Sequence, residues 1–239
     1  MIRSQFSIYL KEKINMSGII AAFSDKNVVP ALFDGLQRMQ VEYGEHDGVT
    51  IAALMAGRIQ QRHFVKKEQD LSKPDFSSFL EKQTLTGCLS LACFRQKQPD
   101  QESHVHLAGT EQLALVYHGV IDNLPEIREQ LFQLGYEPGS LCPSELILLF
   151  IRRYLDIAMS AREASLTAIK RLRGEFAIIV LFAKEKSLVV AQRGVPMMLG
   201  IKDNEIYIAS DTTALNYFVQ PIMLLEKDSL LILSRLAKI

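Results

Sequence analysis

His104 and His106 stand two residues apart, a spacing that on a strand turns both imidazoles to one face, as a metal site requires. No further ligand follows at metal-site spacing, so the pair reads as structural, and neither a metal nor a cofactor is expected. Cys88, Cys93 and Cys142 form no C-x-x-C pattern, which suits a reducing compartment better than a disulfide framework, and Cys88 and Cys93 read as small core residues. Arg152 and Arg153 close an apolar helical run, where their stems lie along the helix with the charged heads in water. Asp211 precedes a short helical pattern and reads as its cap. The glycines of RGVPMMLG lack the GK[ST] or G-x-G-x-x-G context of a phosphate cradle and fit a tight turn. None of these groups alone defines a reaction.

The elements that must position them come from an ordinary globular composition. Of 239 residues 48% are hydrophobic and 23% charged, enough apolar material for a sizeable core. Lys and Arg total 27 and Asp and Glu total 27, so no basic surface is expected for nucleic acid. Zero net charge also removes repulsion between copies, which makes a homo-oligomer or a protein partner the expected association. No apolar run reaches the length of a membrane span, and FSIYL is too short for a secretory signal, so the expected location is the cytoplasm.

Strands are read at 17–24, 49–57, 86–94, 112–122, 175–183, 188–192, 197–201 and 205–210, with QRHFVKK expected to pair with the second of them. Helices are read from Val29, over 73–83, from an Asn123 cap to Gly135, from a Ser144 cap, and from Ala161 to Gly174. The stretch LLEKDSLLIL reads as a closing hairpin. Strands at both ends with helices between them indicate α+β. IIAA, FAIIVLF and SLLIL are apolar on both faces, which predicts a four-layer helix–sheet–sheet–helix sandwich. One domain is expected over 17–239, with 1–16 as an extension.

Several segments together resemble a known family. MSGII is similar to M-C-G-I, HVH stands where the family has H-P-H, and VYHGVIDN is similar to V-H-N-G-I-I-E-N. LRGEFAIIV is similar to L-R-G-x-Y-x-x-V, AQRGVPMMLG to A-R-x-G-x-P-L-x-x-G, and YIASDTTAL to F-I-A-S-D-x-x-A-L. In this order they resemble the N-terminal-nucleophile (Ntn) glutaminase domain of class II glutamine amidotransferases, in particular the glutaminase half of glutamine–fructose-6-phosphate aminotransferase.

The resemblance implies glutamine hydrolysis by an N-terminal cysteine whose own amine is the base. Ser17 stands at that position and is the candidate nucleophile, a weaker one than a thiolate. The family's oxyanion-hole asparagine aligns with His118, while Gly119 is retained; these two are the candidate oxyanion hole. The arginine that holds the glutamine carboxylate aligns with Ala92, and the aspartate that holds the ammonium aligns with Pro143, so the substrate-binding positions are degenerate.

An Ntn nucleophile must be a free terminus. Lys11-Glu12 requires an all-purine hexamer, and only Lys13, Ile14 and Asn15 separate it from Met16, which makes Met16 a candidate start that would expose Ser17. Three functions remain open: a catalytically impaired binding, regulatory or oligomerising module; an active amidohydrolase using Ser17 on another amide; or a glutaminase-like subunit docking on a separate synthetase or isomerase chain.

Overall fold

Strands that are apolar on both faces must be covered on both sides, and the computed structural model shows both covers. It describes residues 18–43, 46–65, 85–96, 105–139, 141–216 and 219–234. The chain begins with β1 (Gly18–Phe23), α1 (Val29–Tyr43), β2 (His46–Met55), β3 (Arg58–Val65) and β4 (Leu89–Gln96). Then come β5 (Val105–Gly109), β6 (Leu113–Ile121), α2 (Leu124–Gln133), α3 (Pro143–Asp156) and α4 (Ala161–Arg171). It ends with β7 (Gly174–Phe182), β8 (Ser187–Arg193), β9 (Met198–Lys202), β10 (Glu205–Ala209), a 3-10 turn (Thr212–Ala214), β11 (Ile222–Leu224) and β12 (Leu230–Ser234).

Two antiparallel sheets result, in the orders β11-β9-β10-β1-β4-β2-β3 and β12-β8-β7-β6-β5. Alternation along each strand sorts the core into three layers. Ile19, Ala21, Leu91 and Cys93 of the first sheet meet Ala114, Val116, Ala177 and Ile179 of the second. The opposite face of the first sheet, with Ile20 and Ala92, packs on Leu32, Leu36 and Met39 of α1. The outer face of the second, with Tyr117, Phe176 and Ile178, packs on α2, α3 and α4 through Leu131, Phe150 and Ala168. This is the expected αββα sandwich.

Two ties show which ends of the sheets meet. At one edge the Ile59 N–H donates to the Glu111 carbonyl at 2.8 Å, joining the start of β3 to the turn before β6. Through the pairs Leu54–Ile59, Ala53–Ser90 and Phe23–Leu89, that tie lies at the C-terminal end of β1. At the other edge Gln192 Nε2 donates to the Leu225 and Glu226 carbonyls at 2.9 and 2.6 Å. Through Leu224–Met198, Met198–Ala209 and Ala209–Ile20, this second tie lies at the N-terminal end of β1. Gly18 therefore opens β1 at the same end of the sandwich where β6 closes with His118 to Ile121.

Four local expectations differ from the structure. LLEKDSLLIL is not a hairpin: β11 pairs with β9 in the first sheet and β12 with β8 in the second, so this stretch crosses between sheets. The helix expected behind a Ser144 cap starts two residues earlier, at Pro143. Cys142 holds the cap position, and its N–H is taken by Glu145 Oε2 at 2.9 Å. The helix expected to reach Gly174 ends at Arg171, because Gly174, at φ +121°, already begins β7. Asn123 does precede α2, but its side chain is used elsewhere. Its Nδ2 donates to the Arg171 carbonyl at 2.8 Å and its Oδ1 accepts from the Arg173 N–H at 2.8 Å, which clasps the α4–β7 link. The helix read over 73–83 lies outside the described residues.

Candidate functional site

The end of the sandwich that holds Gly18 and His118 is built from strand termini. His118 pairs with Ala177, and Ala177 pairs with Gln192. Ala177 belongs to the layer between the sheets, so all three side chains turn inward there. Gln192 is buried and spends its amide on the Leu225 and Glu226 carbonyls, while half-buried His118 stands at the mouth.

Gly119 follows at φ +114°, and a Cβ there would lie 2.2 Å from the Glu175 carbonyl oxygen. Gly174 mirrors it across the ladder at φ +121°, with a Cβ position 2.3 Å from the Val120 carbonyl oxygen. Neither strand end tolerates a side chain at these points. From the first sheet, Ser210 continues the line of β10 after its ladder stops. Its N–H donates to the Ile19 carbonyl at 3.0 Å, and its Oγ accepts the Ile19 N–H at 3.1 Å. Asp211 beside it caps the 3-10 turn through the Thr213 N–H at 2.6 Å.

The sequence-derived positions divide. His118 and Gly119 sit at this mouth. Ser17 lies outside the described residues; its successor Gly18 starts β1 at the same end. Ala92 is fully buried, paired with Ile20 and Ile51, and faces α1, away from the second sheet. Pro143 is half-buried in the first turn of α3, the helix on the outer face of the second sheet. Ala92 and Pro143 thus lie on opposite sides of the stacked sheets.

His104 lies outside the described residues, and His106 stands on β5 opposite Tyr117. Among the described residues no three His, Cys, Asp or Glu side chains are grouped to hold a metal. Cys93 is buried between the sheets, and Cys88 and Cys142 are half-buried. Arg153 covers the Tyr154 ring at 4.6 Å and Arg152 lies 3.9 Å from Asp156, as expected for cations lying along their own helix. Among the described residues no helix is long and apolar enough to cross a membrane.

The reading from sequence missed Glu175, Gln192 and Ser210 as parts of this end. All three fall inside motif segments, LRGEF, AQRG and IASD, and the register is what brings them together.

Comparison with known proteins gives the family and the fold of the chain. Residues 90–217, just over half of the chain, match the model of a family described as "Glutamine amidotransferase domain". Glutamine–fructose-6-phosphate aminotransferase [isomerizing] of Bartonella quintana (strain Toulouse) is 33% identical over 225 residues, covering 92% of this chain and 36% of that protein. The enzyme of the same name from Pseudomonas putida is 30% identical over 221 residues, covering 90% of this chain and 35% of the relative. The chain thus spans about a third of the length of the curated relatives it matches. Among solved structures, glutamine phosphoribosylpyrophosphate amidotransferase from B. subtilis superimposes with a TM-score of 0.69 at 17% identity, covering 91% of this chain and 47% of the other. A structure described as the allosteric regulatory enzyme of purine biosynthesis gives 0.64 at 16% identity, covering 83% and 43%. These two likenesses show the fold.

Proposed function

Because the chain belongs to the glutamine amidotransferase domain family, we propose that it is a glutaminase-fold module that has lost the handling of free glutamine and acts by binding or assembling with another chain. One observation carries the reading. Ala92, which the family resemblance matches to the carboxylate-holding arginine, is sealed in an apolar layer between Ile20 and Ile51. No side chain from Leu89 to Phe94 is charged on either face of β4. An amino-acid carboxylate desolvated against this strand would have no cation to meet, which is costly. Pro143, matched to the ammonium-holding aspartate, offers no charge either.

Apolar side chains left exposed support an assembly role. Phe132 (66% exposed) and Leu134 end α2, Ile157 (64%) ends α3, and Tyr136 Oη donating to Asp156 Oδ2 at 3.0 Å ties the two helix ends together. The partner is a second copy or a separate synthetase or isomerase chain. The three free cysteines suit the cytoplasm.

An active amidohydrolase using Ser17 is the second reading. It is favoured by the Gly119 backbone, retained at the end of the sandwich where β1 begins.

Calorimetric titration of the intact chain with L-glutamine, with mass analysis of its N-terminus, tests the proposal. No saturable heat is expected; saturable binding would overturn it.

A further inference from the structure

The buried stripes of α2 and α3 run on past the sheet that covers them. On α2, Ile127 and Leu131 are buried, while Leu134, next at helical spacing, is exposed. On α3, Phe150 and Tyr154 are buried, while Ile157, next in the same way, is exposed. Phe132, two residues before Leu134, is exposed as well. Both helix ends belong to one surface, because Tyr136 Oη donates to Asp156 Oδ2 at 3.0 Å. Two stripes that continue together into solvent leave apolar surface for a partner to cover.

The charges beside this surface point to the partner. Glu129 precedes Phe132 by one turn on α2, and Arg153 precedes Ile157 by one turn on α3. Arg153 is held in place over the Tyr154 ring at 4.6 Å. The two helices run the same way. Their C-terminal ends meet at Tyr136 and Asp156, and Arg128 in the middle of α2 donates to the Pro138 and Leu141 carbonyls, just ahead of α3, at 3.1 and 2.8 Å. One end thus pairs an apolar residue with an acid, and the other pairs an apolar residue with a base. A two-fold axis along the helices, midway between them, lays Phe132 on the partner's Ile157 and Glu129 on the partner's Arg153, twice over. The surface is complementary to itself, and the balance of 27 basic against 27 acidic residues adds no net repulsion between copies.

We propose that a second copy of this chain covers the surface, in a two-fold dimer built on the ends of α2 and α3. The inference rests on the assembly role proposed above and names its partner. Phe132 and Ile157 form the apolar centre of the contact. The two Glu129–Arg153 pairs lie on its rim, where charges set register and exclude wrong partners more than they add affinity.

Sedimentation velocity of the intact chain from about 1 to 100 μM tests this, with circular dichroism showing that each variant is folded. The dimer is expected to dominate at the upper end. Phe132→Glu should raise its dissociation constant at least about thirtyfold, the scale of losing a central aromatic anchor. Glu129→Arg and Arg153→Glu should each weaken it, and the double reversal should restore most of the loss, which general damage to the fold would not do. A chain that stays monomeric leaves the surface to a separate chain and overturns the inference. So does a dimer that Phe132→Glu leaves intact, or a pair of charge reversals that do not rescue each other. Each of these outcomes leaves the loss of glutamine handling standing. That reading falls instead if L-glutamine saturates the chain, whatever its mass.

Discussion

Ala92 stands directly opposite Ile20 in the β1–β4 register, and both side chains turn toward α1 rather than toward the second sheet. A guanidinium placed at 92 would be buried among the apolar side chains of Leu32, Leu36 and Met39. Ala92→Arg should therefore destabilise the chain by about 3 kcal/mol or more, the scale of an uncompensated buried charge. It should bring no glutamine binding. Urea denaturation and titration check this; an Ala92→Arg chain of unchanged stability that binds glutamine would contradict it.

Gly119 and Gly57 both have positive φ, at +114° and +79°, but only Gly119 has backbone in the way of a Cβ. Gly57→Ala meets nothing within 4 Å and should cost only conformational strain, about 1–2 kcal/mol. Gly119→Ala adds a collision with the Glu175 carbonyl and should cost more, with the β6–β7 ends forced apart. Equal losses for the two variants in chemical denaturation would contradict this account of the mouth.

Tyr207 is buried in β10 and donates its phenol to Glu205 Oε2 at 2.7 Å. Burial first, then that hydrogen bond and the negative charge, raise its pKa well above the ordinary value of 10.0. A folded-state pKa above the unfolded one means stability that is fully present below about pH 10 and lost as pH rises, because the unfolded phenol releases its proton first. Tyr207→Phe should cost about 1 kcal/mol near pH 7. Above pH 10 the two proteins should converge. A gap that stays constant from pH 7 to 11 would refute the coupling.

Ser210 supplies the acceptor for the Ile19 N–H just where the β10 ladder stops. Ser210→Ala should speed hydrogen exchange of the Ile19 amide roughly fivefold, on the scale of one hydrogen bond. Amides at the centre of β7 should not change. An unaltered Ile19 rate would show that the hydroxyl does not hold the start of β1.

The sandwich was legible because FAIIVLF alternates two apolar faces. Ala177, Ile179 and Leu181 fill the space between the sheets, while Phe176, Ile178 and Val180 meet the helices. Capping was less legible. Ser is the usual cap, yet Pro143 takes the first helical position and leaves Cys142 as the cap, with Glu145 reaching back. The last strands were misread because local alternation and a turn describe a hairpin equally well whether or not its arms share a sheet. The same limit applies to the site. Spacing could match Ala92 to an anchor position, but its facing depends on pairing with Ile20, and Glu175 joins His118 only through the β6–β7 register.

Ammonia release from L-glutamine by a chain that begins at residue 17 and carries Ser17→Cys tests the central claim most directly. A thiolate speeds only the chemical step and does nothing for a substrate that is not held in place. The loss of head-group anchors therefore predicts no saturable release at any glutamine concentration. Brisk, saturable release would mean that other residues hold the glutamine head group, and the claim that this domain has lost glutamine would be wrong.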